Sequence, residues 1–252
     1  MDLGLKGKKA IVTGGTRGIG RAIAERLSDE GADIAICARN AGQVEEAVGA
    51  FKAKGVNATG AAVDVMDGDA LKSWVASATQ ELGGLDILVP NVSGGGGGAD
   101  EKAWEANFQG DVMGTVRSIE AGLPALQDGG GSIVIISTTA AVECFGGGGS
   151  YGALKAGLVN YAKNLSNNLA SANVRVNCVS PGPIFIEGGA WNFIKDNMNE
   201  FYSATLSQIP MGRMGAAEDV ANAVAFLASP ASSFTTGANL IVDGGFTKGV
   251  QY

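Results

Sequence analysis

Residues 9–20 read KAIVTGGTRGIG: a short apolar, β-branched run, then glycines at 14, 15, 18 and 20. Ile23 and Leu27 follow one helical turn apart and carry an apolar face onward. A strand, a glycine turn and the start of a helix form the context that a dinucleotide fingerprint requires. Glycine at 14, 18 and 20 allows a tight turn, close approach of backbone to a pyrophosphate, and close packing of helix on strand. The helix N-terminus adds free N–H donors and positive dipole. The spacing is G-x-x-x-G-x-G, not the more general G-x-G-x-x-G.

Beyond this stretch the same rhythm recurs. DIAICA, GAAVDV, DILVP, SIVIIS and VRVNCVS are separated by longer helix-like stretches, and NLIVDGG follows near the end. That alternation predicts βαβ units and a parallel sheet, hence an α/β fold. The runs are apolar throughout, as expected of strands covered by helices on both faces. Leu154, Leu158, Tyr161, Leu165 and Leu169 recur at helical spacing and predict one apolar stripe. No Pro/Ser-rich linker divides the 252 residues, so one domain is expected. The glycine runs Gly94–Gly98 and Gly146–Gly149 each follow a predicted strand on the side where open α/β sheets take ligands, and they read as loops over a site.

Composition narrows the chemistry. A net charge of −7 argues against gripping nucleic acid or an anionic membrane, which leaves small molecules as partners. Cys37, Cys144 and Cys178 are odd in number and lack C-x-x-C spacing, so neither a disulfide framework nor a metal site is expected. The chain has no histidine, which removes the commonest general base. The N-terminus reaches a strand without a signal-like apolar region, and no run approaches membrane-spanning length, so a cytoplasmic protein is expected.

In the stretch CFGGGGSYGALKAG, residues 144–157, Tyr151 and Lys155 stand four apart. In a helix starting near residue 150 they share one face, about 6 Å apart at Cβ. Holding a phenol ionised near neutral pH takes about three units, or roughly 4 kcal/mol. An ammonium about 4 Å away at an effective dielectric of ~20 supplies an interaction of that order. Without histidine, this pair is the best acid/base available, and the glycines before it let backbone pass close to a substrate or flex over it.

TGGTRGIG, Asn107, the Thr138/Tyr151/Lys155 set, Pro181–Gly182 and the closing RMGAAEDVANAVAFLASPASSFTTGANLIVDGG together resemble the short-chain dehydrogenase/reductase family over nearly the whole chain. The resemblance implies a single-domain, Rossmann-type doubly wound fold with a seven-stranded parallel sheet, assembled as a homotetramer, that transfers hydride between a nicotinamide cofactor and a carbonyl or alcohol. Residues 1–90 would be mainly cofactor-binding and 186–211 a variable substrate loop. Tyr151 would donate the proton to the carbonyl oxygen, Lys155 would bind the nicotinamide ribose and lower the tyrosine pKa, and Asn107 would hold a water linking Lys155 to solvent. Thr138 stands where the family has serine and would polarise the substrate oxygen, with Ser137 the alternative. Gly14, Thr16, Arg17, Gly18, Ile19, Gly20, Arg39, Asp64, Val65, Asn91, Tyr151, Lys155, Pro181, Gly182 and Ile184 would line the cofactor. Two departures bear on it: Pro90 lacks a backbone donor, and Ile186 replaces a threonine.

NAD-preferring relatives end the second strand with an acid; here Ala38 occupies that position, with Arg39 next to it and Arg17 in the glycine loop. Two guanidinium groups suit a 2′-phosphate, so NADP(H) is the expected cofactor. Trp191, Phe193, Phe201 and Tyr202 either line an apolar pocket or pack their segment on the core. The expected activity is reduction of an apolar or aromatic ketone. The alternatives are 3-oxoacyl-thioester reduction and a cofactor-binding regulatory protein.

Overall fold

The computed structural model describes residues 2–145 and 149–250. Seven parallel strands form one sheet: β1 (Lys9–Thr13), β2 (Asp33–Ala38), β3 (Ala58–Ala62), β4 (Ile87–Val89), β5 (Gly131–Ile136), β6 (Val174–Pro181) and β7 (Asn239–Val242). Their spatial order is β3-β2-β1-β4-β5-β6-β7. The order reverses between β1 and β4, and in doubly wound sheets the crevice at the carboxyl ends of two such strands is where ligands bind.

Strand parity builds a core on each face. Ala10 and Val12 of β1, with Ile34 and Ile36 of β2, enter one apolar cluster. Their alternates Ile11, Ala35 and Cys37 enter the other. The first cluster is closed by helices α1 (Gly18–Asp29), α2 (Ala41–Ala53) and α9 (Ala217–Ala228). The second lies beneath α3 (Gly68–Leu82), α5 (Gly114–Gly129) and α6 (Ser150–Leu169). Three shorter helices remain: α4 (Glu101–Asn107), joined to α5 by a π-helical turn at Phe108–Met113, and α7 (Ala190–Asn197) with α8 (Asn199–Ser207) in the expected substrate loop.

Two expectations shift in detail. The third strand forms at Ala58–Ala62, earlier than the run GAAVDV suggests. It is an edge strand paired only with β2, whose last residue Ala38 meets Ala62, so Val63–Val65 have no strand to extend against. In α6 the inward face carries Lys155, Leu158, Ala162, Ser166 and Leu169, and Leu154, Tyr161 and Leu165 straddle its edge half-buried. Leu158 and Leu169 of the expected stripe thus lie in the buried face and the other three along its edge, and a lysine shares that face.

Arg175 of β6 ties the sheet to the end of α9. Its guanidinium donates to the carbonyls of Leu227, Ala228, Ser229 and Thr235 and to Ser232 Oγ, at 2.7 to 3.3 Å. Burial draws its pKa down. The carbonyls left open at a helix C-terminus meet a cation there.

Candidate active site

The turn between β1 and α1 is closed by glycine of necessity. Gly14 has φ +69 and Gly18 φ +57, both left-handed. A Cβ on Gly20 would stand 2.3 Å from the Gly14 carbonyl oxygen and 2.4 Å from Asn91 Nδ2. Asn91 braces this turn from the end of β4: its backbone N–H donates to Thr13 Oγ1 and its amide to the Thr13 carbonyl, both at 3.0 Å. What Asn91 offers a ligand therefore comes through the loop it braces. Asn40, Asp67 and Asp100 cap α2, α3 and α4, whereas α1 starts with no side-chain cap and no acid in its first turn. Its N–H groups and positive end are left to an anion, which is what a pyrophosphate would use.

Other cofactor candidates gather around this crevice. Thr16 is buried and Ile19 half-buried. Arg17 in the loop and Arg39 just past β2 are exposed, and neither forms an ion pair among the described residues. Asp64, exposed beyond β3, accepts from Met66 N–H at 3.0 Å, and Val65 beside it is buried. Beyond β6 the chain runs through Pro181 and Gly182, whose N–H donates to the Val242 carbonyl at 3.0 Å, to Ile184, which bridges Gly215. Ile186 then leans over the glycine turn, its Cδ1 3.2 Å from where a Gly18 Cβ would sit. Ile186 thus touches the loop as an apolar lid over its edge. Pro90 lacks a donor but its carbonyl still accepts from Ile136 N–H at 3.1 Å, so the sheet keeps that contact.

Helix α6 begins at Ser150, so Tyr151 lies in its first turn and Lys155 one turn on. The ammonium is 5.9 Å from the centroid of the tyrosine ring. Lys155 is 2% exposed, and its Nζ donates to the Ile136 carbonyl at 2.9 Å. Of the two hydroxyls before them, Ser137 donates to the Lys155 carbonyl at 3.2 Å and is committed to the backbone of α6. Thr138 Oγ1 accepts from Ala140 N–H at 3.2 Å and keeps its own proton to give. The geometry favours Thr138 over Ser137 as the hydroxyl free for a substrate.

The residue against Lys155 differs from the one the sequence suggested. Asn107 is buried, but its amide donates to Ser150 Oγ at 2.8 Å and to the Gly96 carbonyl at 3.0 Å. It pins the start of α6 to the first glycine run. The side chain on the ammonium is Asp111, fully buried in the π-helical turn, with Oδ1 2.9 Å from Lys155 Nζ. That contact is ionic, without the alignment of a good hydrogen bond. Its other oxygen accepts from Gly94 N–H at 3.0 Å. The π-helical turn carries the chain one turn further before the facing side chain reaches Lys155. A signal for this was present: the spacing N-x-x-G at 107–110 repeats at once as D-x-x-G at 111–114.

The first glycine run is packed at its two ends, while a Cβ on Gly95, Gly96 or Gly97 would meet nothing within 4 Å. A Cβ on Gly94 would meet the Ala106 carbonyl at 2.4 Å, and the Gly98 carbonyl accepts from Ser150 N–H at 3.3 Å. Of the second run, Gly146–Gly148 fall outside the described residues, and a Cβ on Gly149 would stand 3.0 Å from the Gly98 carbonyl oxygen. Among the loop aromatics, Trp191 stacks on Phe201 at 6.0 Å, and Phe185 meets Tyr202 edge-on at 6.5 Å beneath the ammonium of Lys195. They pack largely on one another. Phe145, just before the undescribed glycines, stacks on Phe246 of the C-terminal segment at 4.9 Å. That segment is held by Asp243, which accepts from Thr247 and Gly245, and by Lys248 N–H donating to Glu143. Burial opposes ionisation of Asp243, but these hydrogen bonds win and hold its carboxyl below the usual range.

Known proteins resemble this chain over nearly its whole length. The family model described as enoyl-(acyl carrier protein) reductase matches residues 14–247. Isoepoxydon dehydrogenase of Penicillium expansum is 35% identical over 257 residues, covering 100% of this chain and 99% of its own. A 3-oxoacyl-acyl-carrier-protein reductase of Staphylococcus aureus is 34% identical over 247 residues, covering 94% and 97%. Among solved structures, L-sorbose reductase of Gluconobacter frateurii, complexed with NADPH and L-sorbose, superposes with a TM-score of 0.91 at 32% identity over 99% of this chain and 100% of that one.

Proposed function

The chain belongs to the short-chain dehydrogenase/reductase family and is an oxidoreductase, and from that premise we propose that it reduces a ketone at the expense of NADPH. The observation that carries this is the pair on α6: a buried ammonium 5.9 Å from the centroid of the Tyr151 ring, together with an uncapped helix N-terminus behind a glycine turn. NADPH, when bound, supplies the hydride. Tyr151 gives its proton to the carbonyl oxygen, Thr138 donates a hydrogen bond to the same oxygen, and Lys155 steadies the phenolate left behind. The first turn of α1, with Gly14, Thr16, Gly18, Ile19 and Gly20, receives the pyrophosphate. Asp64, Val65, Asn91, Pro181, Gly182 and Ile184 complete the walls.

Arg17 and Arg39 support NADPH over NADH, since both guanidinium groups lack carboxylate partners among the described residues and flank the crevice where a 2′-phosphate would lie. The NADPH in the L-sorbose reductase structure agrees with this. Phe145 on Phe246, together with the aromatic segment within 186–211, supports an apolar or aromatic ketone. Reduction of 3-oxoacyl thioesters is the second reading, favoured by the Staphylococcus aureus relative. We take the working form to be a cytoplasmic homotetramer, for which sedimentation should give four chains.

The test is NADPH consumption, with NADH in parallel, against alkyl, cyclic and aryl ketones and 3-oxoacyl thioesters. Tyr151→Phe should lower kcat at least ~100-fold with unchanged melting. Arg17→Ala with Arg39→Ala should raise the KM for NADPH more than ~10-fold and leave that for NADH nearly unmoved. Equal use of both cofactors by the parent chain would overturn the arginine assignment.

A further inference from the structure

The proton transfer just described makes no use of Asp111, yet this carboxylate is the nearest charge to the ammonium that serves it. Both partners are out of water, with side-chain exposures of 3% for Lys155 and 1% for Asp111. Salt does not screen such a pair, and neither side chain has room to turn away. The carboxylate is fixed at both oxygens, by Lys155 Nζ and by Gly94 N–H. A lone ammonium favours a neighbouring phenolate; one already faced by a carboxylate favours it far less, because the tyrosine then meets the field of both charges. We propose that Asp111 is a positioning residue that offsets the charge of Lys155 and opposes ionisation of Tyr151, setting the site for carbonyl reduction, where the phenol must begin protonated. The inference rests on the reading of Tyr151 as proton donor.

The other groups around the ammonium leave this balance to the carboxylate. Among the described residues, β6 presents Cys178, whose thiol burial pushes up to about 12, so it stays neutral through the working range. From β5 comes the Ile136 carbonyl, and from α6 Tyr151 itself. The Ser137 hydroxyl binds the Lys155 carbonyl and Asn107 binds Ser150, all uncharged. Asp111 is thus, among the described residues, the carboxylate that faces the ammonium.

The experiment compares the parent chain with Asp111→Asn and Asp111→Ser, each paired with a copy that also carries Tyr151→Phe. Two readouts are taken: tyrosinate absorbance against pH, as the difference between each protein and its Tyr151→Phe copy, and the pH profile of kcat/KM for ketone reduction with NADPH. Both variants should move the Tyr151 midpoint, and with it the alkaline limb of reduction, about one pH unit toward acid. The acid limb of alcohol oxidation should move the same way. A structural role alone would lower the height of the profile and leave its position. An unmoved or upward-moved midpoint in a folded variant overturns the inference. Collapse of both variants, with the double variant Asp111→Asn, Lys155→Met folded, also overturns it, by reducing the carboxylate to a partner needed for packing. A midpoint that moves in a protein turning over no ketone keeps the inference and removes the proposed function; turnover lost in Tyr151→Phe with an unmoved midpoint does the reverse.

Discussion

Cys37 and Cys178 lie in the sheet with thiols that burial pushes up to about 12, while Cys144 is exposed at the rim of the site. A thiol reagent near pH 8 should therefore label Cys144 alone in the native protein and all three cysteines in denaturant, as mass spectrometry would read directly. Early labelling of Cys37 or Cys178 would mean that the sheet opens at β2 or β6, each the strand next to an edge. The same burial gives a stability term with a definite sign. The folded values lie above the ordinary thiol range near ~8.5, so the contribution is fully present below that range and is lost as pH rises toward about 12. At this scale the local spacings were legible in the sequence. Gly14, Gly18 and Gly20 are dictated by turn sterics, and Tyr151 with Lys155 by one helical turn. Asp111 was not, because its partner lies in a distant helix and the π-helical turn decides which of two similar tetrapeptides faces it.

The β1–α1 unit is the element proposed to hold the cofactor, and its tolerance is set by contacts already in place. Gly20→Ala would drive a methyl into the Gly14 carbonyl at 2.3 Å and into the Asn91 amide that braces it. The turn would have to open. The expected result is a lower melting temperature and an NADPH KM raised at least ~10-fold, with far-ultraviolet circular dichroism unchanged; full NADPH affinity in this variant would show that the loop is not the pyrophosphate cradle. A Cβ added at Gly49, on the exposed side of α2, would meet nothing within 4 Å, so Gly49→Ala serves as the control. Elements were legible where hydrophobic runs and turn chemistry agreed, as in the seven strands and the start of α6 at Ser150. They were less so where pairing decides: the end of β3 is fixed by the length of β2, and the inward face of α6 carries Lys155 and Ser166 beside Leu158 and Leu169.

Across the whole molecule, two apolar cores are held on one sheet, and Arg175 fastens the strand that feeds the active-site loop to the last helix of the opposite layer. Arg175→Met would remove the guanidinium's hydrogen bonds at the end of α9, although the Leu227 and Ser229 carbonyls would still accept from Ser232. Denaturant unfolding should report a loss of about 2 kcal/mol, with kcat altered much less than stability; an unchanged midpoint would mean that solvent replaces the guanidinium without cost. The buried ion pair between Asp111 and Lys155 has a consequence for how this chain can vary. Each charge tolerates the interior only because of the other, so a change at either position alone is destabilising, and the pair drifts only by simultaneous exchange. Two apolar residues of matching volume could fill the space and leave the fold as firm or firmer, while erasing the ammonium used by the proposed proton transfer. Selection for thermal endurance by itself would therefore lead this protein toward an inert scaffold, and a library screened for stability should be counter-screened for turnover at these two positions first.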